Sequence, residues 1–489
     1  MATEPRVRQE IRRFLDIPPV QVAELDLDPG GGPGGGDGGS GEGSGGGGGV
    51  LRPGPGSPPV THGAVFVLVR VGGRPVATLL GQIPEGADPT TVLTALARER
   101  TPSDLCELPD LAVTVPSTTV VVATRERADR LATALDSLLA QDHPDAEIVV
   151  VDNAPVTDAT RDLVVHKYGD RVRYLTEPVP GLAVAHNTGL ATARGDVVAF
   201  TDDDVVADPR WLTELTAPFS ADPGLGCATG LILPARLRTP AQVLLESHGG
   251  FAKGFTPRTY DPYDPPADEP LFPFTAGRFG SGANMAYRTR VLRAVGGFDP
   301  ATGAGTPARG GDDLYGFVRV LAAGHRLRYT PHALVWHHHR ETWRDLETQA
   351  YGYGAGLTAY LTAILVNRPG LLPAFLARLP RGLAHARTLT AVRDTEGGEG
   401  AGGVGGGAGA PGGHDARTHP WPGRLSRLQR RGMLYGPVGY VRARRAVRGL
   451  PTVRGLPTVR GGGSDSGGSA ASGGDAASGG NGASGGGAR

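Results

Sequence analysis

The most constraining stretch of the chain runs from Val197 to Val206 (VVAFTDDDVV). Its first four residues are apolar and predict a short buried strand, which stops in three consecutive aspartates, Asp202, Asp203 and Asp204. Carboxylates packed at a strand end repel one another unless a cation lies among them. Ligands of open α/β sheets bind just beyond the carboxyl ends of strands, and hard oxygen ligands suit Mg²⁺ or Mn²⁺. The stretch therefore indicates either a metal site that holds a diphosphate or a solvated acidic turn.

Glycine is concentrated in three tracts, and these tracts divide the 489 residues of the chain. Glycine-rich segments bury too little apolar surface to offset chain entropy, so we expect them to be disordered. We predict an N-terminal segment, a small α+β accessory domain with a disordered insertion, a large α/β domain, C-terminal helices, a glycine-rich linker, a basic helical segment and a disordered tail. Their bounds are, in that order, 1–17, 18–112 with the insertion at 29–58, 115–345, 346–392, 393–419, 420–448 and 449–489.

Charge and cysteine content limit the cellular setting. The formal net charge is zero, which gives no global electrostatic reason to expect nucleic acid as a partner. The two cysteines, Cys106 and Cys227, do not make a disulfide framework and favour a reducing compartment. The first residues are charged without an apolar core, and the longest apolar run, near 357–366, is too short to cross a bilayer. We expect a cytoplasmic protein, either soluble or peripheral at the inner face of the cell membrane.

Alternating strand and helix patterns begin at Ser117 and predict a mainly parallel sheet. The predicted strands are 118–123, 147–151, 172–175 and 197–200, with later separate strands at 326–329 and 333–336. The predicted helices include 127–139, 157–166, 181–193, 211–219, 312–323, 341–366 and 371–389. The accessory domain is predicted to hold strands at 22–27, 64–71 and 75–80 and a helix at 89–98. Residues 226–280 are rich in proline and aromatic residues and are left unassigned, either as the acceptor side of a cleft or as a poorly ordered insertion.

Polar residues recur where the predicted strands end and on two of the predicted helices. These positions are Thr124 and Arg125, Asp152, Asn187, Asp202–Asp204 and Asp312–Asp313. Parallel connectivity brings the carboxyl ends of such strands to one edge of the sheet. There Asp152 could accept a hydrogen bond from a base N–H, Asp202 or Asp203 could reach a ribose hydroxyl, and a metal on Asp204 could bridge phosphates. Taken singly, each residue could equally be a helix cap, a turn residue or a solvated polar group.

The motifs, taken in this order, resemble those of family 2 glycosyltransferases, which are inverting nucleotide-sugar transferases with the GT-A fold. The resemblance covers about 115–345, near half of the chain. Its motifs are TVVVATRERADRL (119–131), IVVVDN (148–153), AHNTG (185–189), FTDDDV (200–205), GANMA (282–286), GGFD (296–299) and GDDL (311–314). Residues 336–340 and 351–360 resemble an actinobacterial-type subgroup that carries a similar small N-terminal domain. The resemblance implies an α/β GT-A fold for this region.

The resemblance also implies a role for each residue of the constellation. Thr124, Arg125 and Asp152 would hold the base, Asn187 would belong to the donor site, Asp202 and Asp203 would lie near the ribose and metal-bound water, Asp204 would be the direct metal ligand, and Asp313 would be the catalytic base. Of the run His337–His339, His337 is the expected further metal ligand, unless the run is a surface or acceptor-lining cluster. The chain departs from the family pattern at Asp312, where Glu is frequent, and at His186, where Arg is usual. A mostly neutral His186 weakens any role as a permanent cation at the diphosphate.

The expected protein is thus an enzyme, a glycosyltransferase that uses Mn²⁺ or Mg²⁺. Its expected donor is a nucleotide-diphospho-sugar, and its acceptor is a glycan, a lipid-linked sugar or a small molecule, as in cell-envelope glycan synthesis. The alternative is a non-catalytic sugar-nucleotide-binding or scaffolding protein. Residues 424–448 carry eight arginines and no acid, which suits an anionic membrane surface or a solvated cap on the catalytic domain. Nucleic acid is not an expected partner.

Overall fold

A computed structural model describes residues 16–27, 48–100, 114–248, 250–378, 380 and 421–449. The N-terminal elements are β1 (Gln21–Leu27), β2 (Gly49–Pro53), β3 (Gly63–Val71), β4 (Arg74–Ile83) and α1 (Pro89–Arg100). The central elements are β5 (Thr118–Thr124), α2 (Ala128–Leu138), β6 (Ala146–Asn153), α3 (Ala159–Leu163), β7 (Val172–Glu177), α4 (Leu182–Thr192), β8 (Val197–Asp202), β9 (Val205–Ala207), α5 (Trp211–Ala221), β10 (Leu225–Pro234), α6 (Pro240–Ser247), β11 (Arg258–Tyr260), β12 (Asn284–Arg288), α7 (Thr289–Val295), α8 (Asp312–Ala322) and β13 (Arg326–His337). Three helices follow, namely α9 (Trp343–Asn367), α10 (Pro369–Arg378) and α11 (Gly423–Ala446).

The N-terminal elements form a four-stranded sheet in the order β2-β1-β3-β4, with α1 packed on it. The three predicted strands and the helix of this region are confirmed, and Asp88 caps α1 through the N–H of Thr91 (2.9 Å). The predicted disordered insertion, 29–58, is wrong at its C-terminal end. Strand β2 lies there and pairs antiparallel with β1, because Val50 and Leu51 continue the ladder of that strand. Residues 28–47 lie outside the described part of the chain.

A buried arginine joins the two sheets. The guanidinium of Arg70, on β3, donates to Glu24 (2.6 Å) and to Asp208 (2.6 Å), which follows β9 in the large sheet. A buried guanidinium is costly unless its charge is paired, and here two carboxylates share it. The small sheet is therefore fixed to the large one next to the strand that follows the aspartate run.

The large sheet has the order β11-β13-β10-β12-β8-β5-β6-β7, and β9 pairs with β13. Strands β7, β6, β5 and β8 are parallel neighbours, as are β10 and β13, while β12 runs antiparallel between β8 and β10. The predicted α/β fold with a mainly parallel sheet is confirmed. Because β12 reverses direction between two strands of the same sense, the carboxyl ends of β5, β6, β8 and β13 meet at one edge, together with the amino end of β12.

The later strands differ from the prediction. Residues 326–329 and 333–336 are parts of one strand, β13, which tolerates Pro331 because its pairing with β10 shifts register between Gly230 and Leu231. The unassigned stretch, 226–280, contains most of β10, whose ten residues are all buried, together with α6 and β11. Strand β10 was missed because a strand buried on both faces has no alternation, and its glycines and the terminal Pro234 mimic a loop.

Helices α9 and α11 pack through glycines. A methyl group on Gly354 would overlap the carbonyl of Gln429, and one on Gly432 or Gly436 would overlap the backbone of α9. Helix α9 also touches the turn before α8. A methyl group on Gly356 of α9 would lie 3.0–3.2 Å from Gly310 and Gly311 of that turn. These backbone contacts place α9 between α11 and the start of α8.

A helix that crosses a membrane must be both long enough and apolar enough. Within the residues that the structure describes, no single helix satisfies both requirements for crossing a membrane. The pair α9 and α10, bent by 107° at their junction, satisfies them jointly.

Candidate active site

The aspartate run forms the tip of β8 and the turn into β9, at the shared edge of the large sheet. Residues 197–200 pair with β5 on one side and β12 on the other, and their side chains are fully buried. The predicted strand is therefore held from both sides, and its end is fixed. Asp203 accepts hydrogen bonds from the Thr124 hydroxyl (2.7 Å) and from Arg127 (3.0 Å). Thr124, predicted to touch the base, thus orients an aspartate in this structure.

Asp204 lies in a ring of cationic and imidazole groups. Its carboxylate is 3.3 Å from His337 Nε2, 3.5 Å from Arg127, 3.7 Å from Arg130 and 3.7 Å from Arg340. His337 arrives here because β13 ends at the same edge as β8. Arg127 and Arg130 lie at the start of α2, and Arg340 follows β13. These three arginines were not singled out from sequence, although two of them recur three residues apart at the N-terminus of a helix that begins at the shared edge.

A divalent metal fits the donor set at this tip. The ligand atoms of Asp202, Asp204 and His337 all lie within 4.8 Å of one another. Burial, and then the charges of Asp204 and Asp203, raise the pKa of Asp202 well above its usual range. A dication among these carboxylates would relieve that repulsion, and a site of oxygen and imidazole ligands suits Mn²⁺. Asp202 thus lies with the candidate metal ligands Asp204 and His337, whereas the sequence predicted that it would lie near the ribose.

A hydrogen-bond chain fixes the tautomer of His337. Glu246 lies 2.9 Å from His339 Nε2, and the two Nδ1 atoms of His339 and His337 are 3.2 Å apart. The carboxylate of Glu246 accepts the His339 Nε2–H, which leaves His339 Nδ1 as an acceptor for the Nδ1–H of His337. His337 Nε2 then carries its lone pair and points at an acceptor oxygen of Asp204.

Two acceptors therefore face each other at 3.3 Å with no proton between them. Burial and the neighbouring His339 hold the pKa of His337 well below its ordinary value, so the ring is neutral. A neutral imidazole with its lone pair directed at a carboxylate is the arrangement of a metal ligand. The second of the two open interpretations of the histidine run, a surface or acceptor-lining cluster, does not explain this orientation.

The predicted base-binding residues lie at the neighbouring strand ends. Asp152 is paired in register with Thr124, and one of its oxygens accepts from the Tyr174 hydroxyl (2.8 Å). Its other oxygen is buried without a partner in the described residues, and burial raises the pKa of this carboxyl. A buried acceptor without a donor fits an incoming N–H. Arg125, the residue after Thr124, is exposed.

Asp313 lies across the same edge, at the N-terminus of α8. Its two oxygens accept from the backbone N–H groups of Gly282 (2.9 Å) and Leu314 (2.8 Å). Burial, followed by the charge of Asp312, raises the pKa of Asp313 to about 6. Gly282 comes just before β12, and the hydroxyl of Thr201 binds the carbonyl of Ala283 (2.8 Å). Thr201, which precedes Asp202, is thus linked by a hydrogen bond to the loop that holds Asp313.

Asp312 and His186, at which the chain departs from the family pattern, contact each other behind Asp313. Asp312 is buried, with an oxygen 3.6 Å from Nδ1 of the buried His186. The ring of His186 packs against Phe200 and Phe298. His186 is therefore part of the wall behind the cleft.

Asn187 serves the fold rather than the donor site. Its amide accepts from the N–H of Phe298 (2.8 Å) and donates to the carbonyl of the same residue (2.9 Å). With both polar groups engaged, the amide anchors the 296–299 turn. This placement does not support the donor contact that the resemblance implied.

Comparison with known proteins gives a family match over the part of the chain that contains the aspartate run. The model of the glycosyl transferase family 2 matches residues 119–296. The pre-mycofactocin glycosyltransferase of Mycobacterium tuberculosis is 30% identical over 283 residues, which are 55% of this chain and 54% of that protein. The glucosyl-dolichyl phosphate glucuronosyltransferase of Haloferax volcanii is 25% identical over 193 residues, 38% of this chain and 56% of that protein. The chain spans about half the length of these curated relatives.

Among solved structures, the mannosyltransferase PcManGT from Pyrobaculum calidifontis, in complex with GDP-Man and Mn²⁺, has a TM-score of 0.40 and 19% identity. The match covers 72% of this chain and 94% of the mannosyltransferase chain. The family match and the relatives agree with the predicted family, and the mainly parallel sheet agrees with the predicted α/β class. Residues 119–296 of the chain therefore match glycosyl transferase family 2.

Proposed function

We propose that the chain is a metal-dependent inverting glycosyltransferase that moves a sugar from a nucleotide-diphospho-sugar to a hydroxyl acceptor. One observation carries the proposal. The metal-ligand set of Asp202, Asp204 and His337 and the raised-pKa carboxylate of Asp313 lie at one edge of one sheet. The family match and the glycosyltransferase names of the relatives support the same reaction class.

The residues of the chain have distinct roles in this reaction. Asp152 accepts a base N–H, and the arginines around Asp204 contact the phosphates of the donor. A divalent cation on Asp202, Asp204 and His337 would supply positive charge for the leaving diphosphate. Asp313 accepts the proton of the acceptor hydroxyl as the oxygen attacks the sugar carbon from the face opposite the diphosphate, which inverts its configuration. Backbone N–H groups keep the Asp313 carboxylate in place without neutralising it.

The acceptor and the location are part of the proposal. We favour a lipid-linked or other glycan acceptor, because one relative is named for a glucosyl-dolichyl phosphate. We also favour a cytoplasmic protein at the inner face of the cell membrane, in cell-envelope glycan synthesis. The basic helix α11 supports a membrane position, because its arginines are exposed and are not accompanied by acids.

The test is a donor-hydrolysis screen of the full chain with UDP-, GDP- and dTDP-sugars, each with Mn²⁺, with Mg²⁺ and with excess chelator. We expect metal-dependent release of nucleoside diphosphate from at least one donor and saturable binding of the same nucleotide. Binding without turnover, also in the presence of candidate acceptors, would favour the alternative of a non-catalytic sugar-nucleotide-binding protein. Absence of binding would reject both functions.

A further inference from the structure

The outward side of helix α11 has three apolar residues between two groups of arginines. Leu434, Val438 and Val441 are exposed, Leu434 by 82%, and their i, i+4, i+7 spacing aligns them on one face. Seven exposed arginines lie on either side of them along the helix and the turn that follows it: Arg427, Arg430, Arg431, Arg442, Arg444, Arg445 and Arg448. These ten residues are called the outer face of α11 below.

The opposite side of the helix is fully engaged. Gly432 and Gly436 lie against the backbone of α9, Ala443 is buried, and the Tyr440 hydroxyl binds Asp299 and Asn367 (2.9 and 2.8 Å). The helix cannot rotate its apolar residues inward without giving up these contacts. The outer face of α11 is therefore presented to solvent by the fold itself.

The charge of this face is not neutralised within the described part of the chain. Residues 421–449 contain no aspartate or glutamate. Arg424 pairs with Glu347 on α9, but among the described residues no carboxylate forms an ion pair with any arginine of the outer face. The seven guanidinium groups of α11 and the turn that follows it thus lack counter-charges within the described residues.

Exposed apolar side chains are frequent in helices α9, α10 and α11. Thirteen large hydrophobic residues are exposed in the described part of the chain, and seven of them lie between positions 365 and 441. They are Leu365, Val366, Leu372, Leu376, Leu434, Val438 and Val441. Of these, Leu434, Val438 and Val441 share one helix face, and grouped exposed apolar residues mark interaction sites, whereas scattered ones need no explanation.

We propose that the outer face of α11 docks in the plane of an anionic lipid bilayer. The three apolar side chains would enter the boundary between headgroups and acyl chains, and the arginines would contact lipid phosphates. A nucleic acid or an acidic protein would use the arginines but would leave Leu434 and its neighbours without a role. The proposal does not depend on catalysis, so it stands or falls separately from the glycosyltransferase function.

The test is co-sedimentation of the full chain with phosphatidylcholine vesicles, with and without phosphatidylglycerol. We expect binding only to the anionic vesicles, weakened by salt. The double variant Leu434→Ser/Val438→Ser and the triple variant Arg427→Gln/Arg430→Gln/Arg431→Gln should each lose about tenfold or more in partitioning. Matched controls are Val156→Ser, which changes an equally exposed apolar residue, and Arg290→Gln, which changes an exposed arginine on α7. Both controls should stay within about twofold of the wild type.

Thermal unfolding midpoints close to that of the wild type would show that the variants are folded. Three outcomes would overturn the proposal. They are absence of binding to anionic vesicles, equal binding to neutral vesicles, and a Leu434→Ser/Val438→Ser variant that binds vesicles like the wild type. The last outcome, together with tight binding of heparin, would identify the face as a polyanion site instead.

Discussion

Two groups of carboxylates share one edge of the large sheet, and their surroundings are opposite. Asp203 and Asp204 lie among three arginines and the imidazole of His337. Asp313 is held by two backbone N–H groups, and no lysine or arginine of the described residues forms an ion pair with it. The first group concentrates cationic partners, whereas the second has no ion-paired cation among the described residues, although Lys253 is near enough to interact electrostatically with Asp313.

This difference separates two kinds of chemistry. A carboxylate surrounded by fixed cations suits the binding of a metal and of phosphates, since each incoming charge finds a partner. A buried carboxylate without an ion-paired cation has a raised pKa and can accept a proton near neutral pH. The comparison predicts that changes at the aspartate tip affect binding first, while changes at Asp313 affect turnover first.

The largest effect is expected for Asp313→Asn. The amide preserves shape but cannot take a proton, so we expect transfer to fall by about 10²–10⁴-fold. Nucleotide affinity, measured by calorimetry with Mn²⁺, should stay within about threefold of the wild type, because Asp313 does not belong to the metal set. Loss of nucleotide binding in a folded variant would make Asp313 a structural residue and would remove the contrast between the two groups.

Next is Asp204→Ala. Removing this carboxylate deletes a metal ligand and the centre of the arginine ring, so we expect Mn²⁺-dependent nucleotide affinity to be abolished, a loss of about 100-fold or more. Calorimetry with and without chelator measures the metal-dependent part directly. Unchanged affinity would reject the ligand role and would leave Asp204 as an ion-pair residue. Asp264→Asn, at an exposed loop position, is the matched control.

A smaller loss of metal affinity is expected for Glu246→Ala. Without this acceptor, His339 no longer holds the tautomer in which His337 Nε2 is unprotonated, and outer-shell changes of this kind cost about tenfold or more in affinity. Mn²⁺ titration followed by electron paramagnetic resonance gives the affinity without any turnover. Glu246→Gln keeps an acceptor oxygen and should restore most of the affinity. Equal affinities in all three proteins would show that the hydrogen-bond chain does not orient His337.

The smallest effect is expected in the pH profile of Asp312→Asn. Because burial and Asp312 raise the pKa of Asp313 to about 6, the reactive carboxylate is lost as pH falls through that value. The kcat/KM of the wild type should therefore decline below about pH 6. Removing the charge of Asp312 lowers the pKa of Asp313, so the acidic limb should move to lower pH by less than about one unit, since burial remains the main cause.

An acidic limb that stays in place, or moves to higher pH, would contradict the assigned coupling between the two neighbouring aspartates. The same measurement on Asp264→Asn should reproduce the wild-type profile.

The central part of the site could be predicted because strand order and strand ends follow from pattern. Alternation of strands and helices placed Thr124, Asp152 and the aspartate run at a common edge, and the structure brings them together there. The position of Asp313 in the first turn of α8 was also predictable, since acidic residues are typical of helix N-termini.

The supporting residues could not be predicted in the same way. Glu246 lies 93 positions before His339, on a helix inside the stretch that showed no clear pattern. Only the tertiary packing of α6 against the end of β13 brings the two side chains together. The engagement of Asn187 by a backbone turn 111 positions away is equally invisible to local pattern, which explains why its role was misplaced.

The glycines between α11, α9 and the turn before Asp312 have a mechanical consequence. Backbone lies against backbone at each of these steps, so little space is left to absorb a small displacement along this route. A bilayer beneath α11 would then stand at a set height and tilt with respect to the carboxylate of Asp313. Such an enzyme would select among anchored acceptors by reach, accepting those whose hydroxyl extends the required distance from the lipid surface.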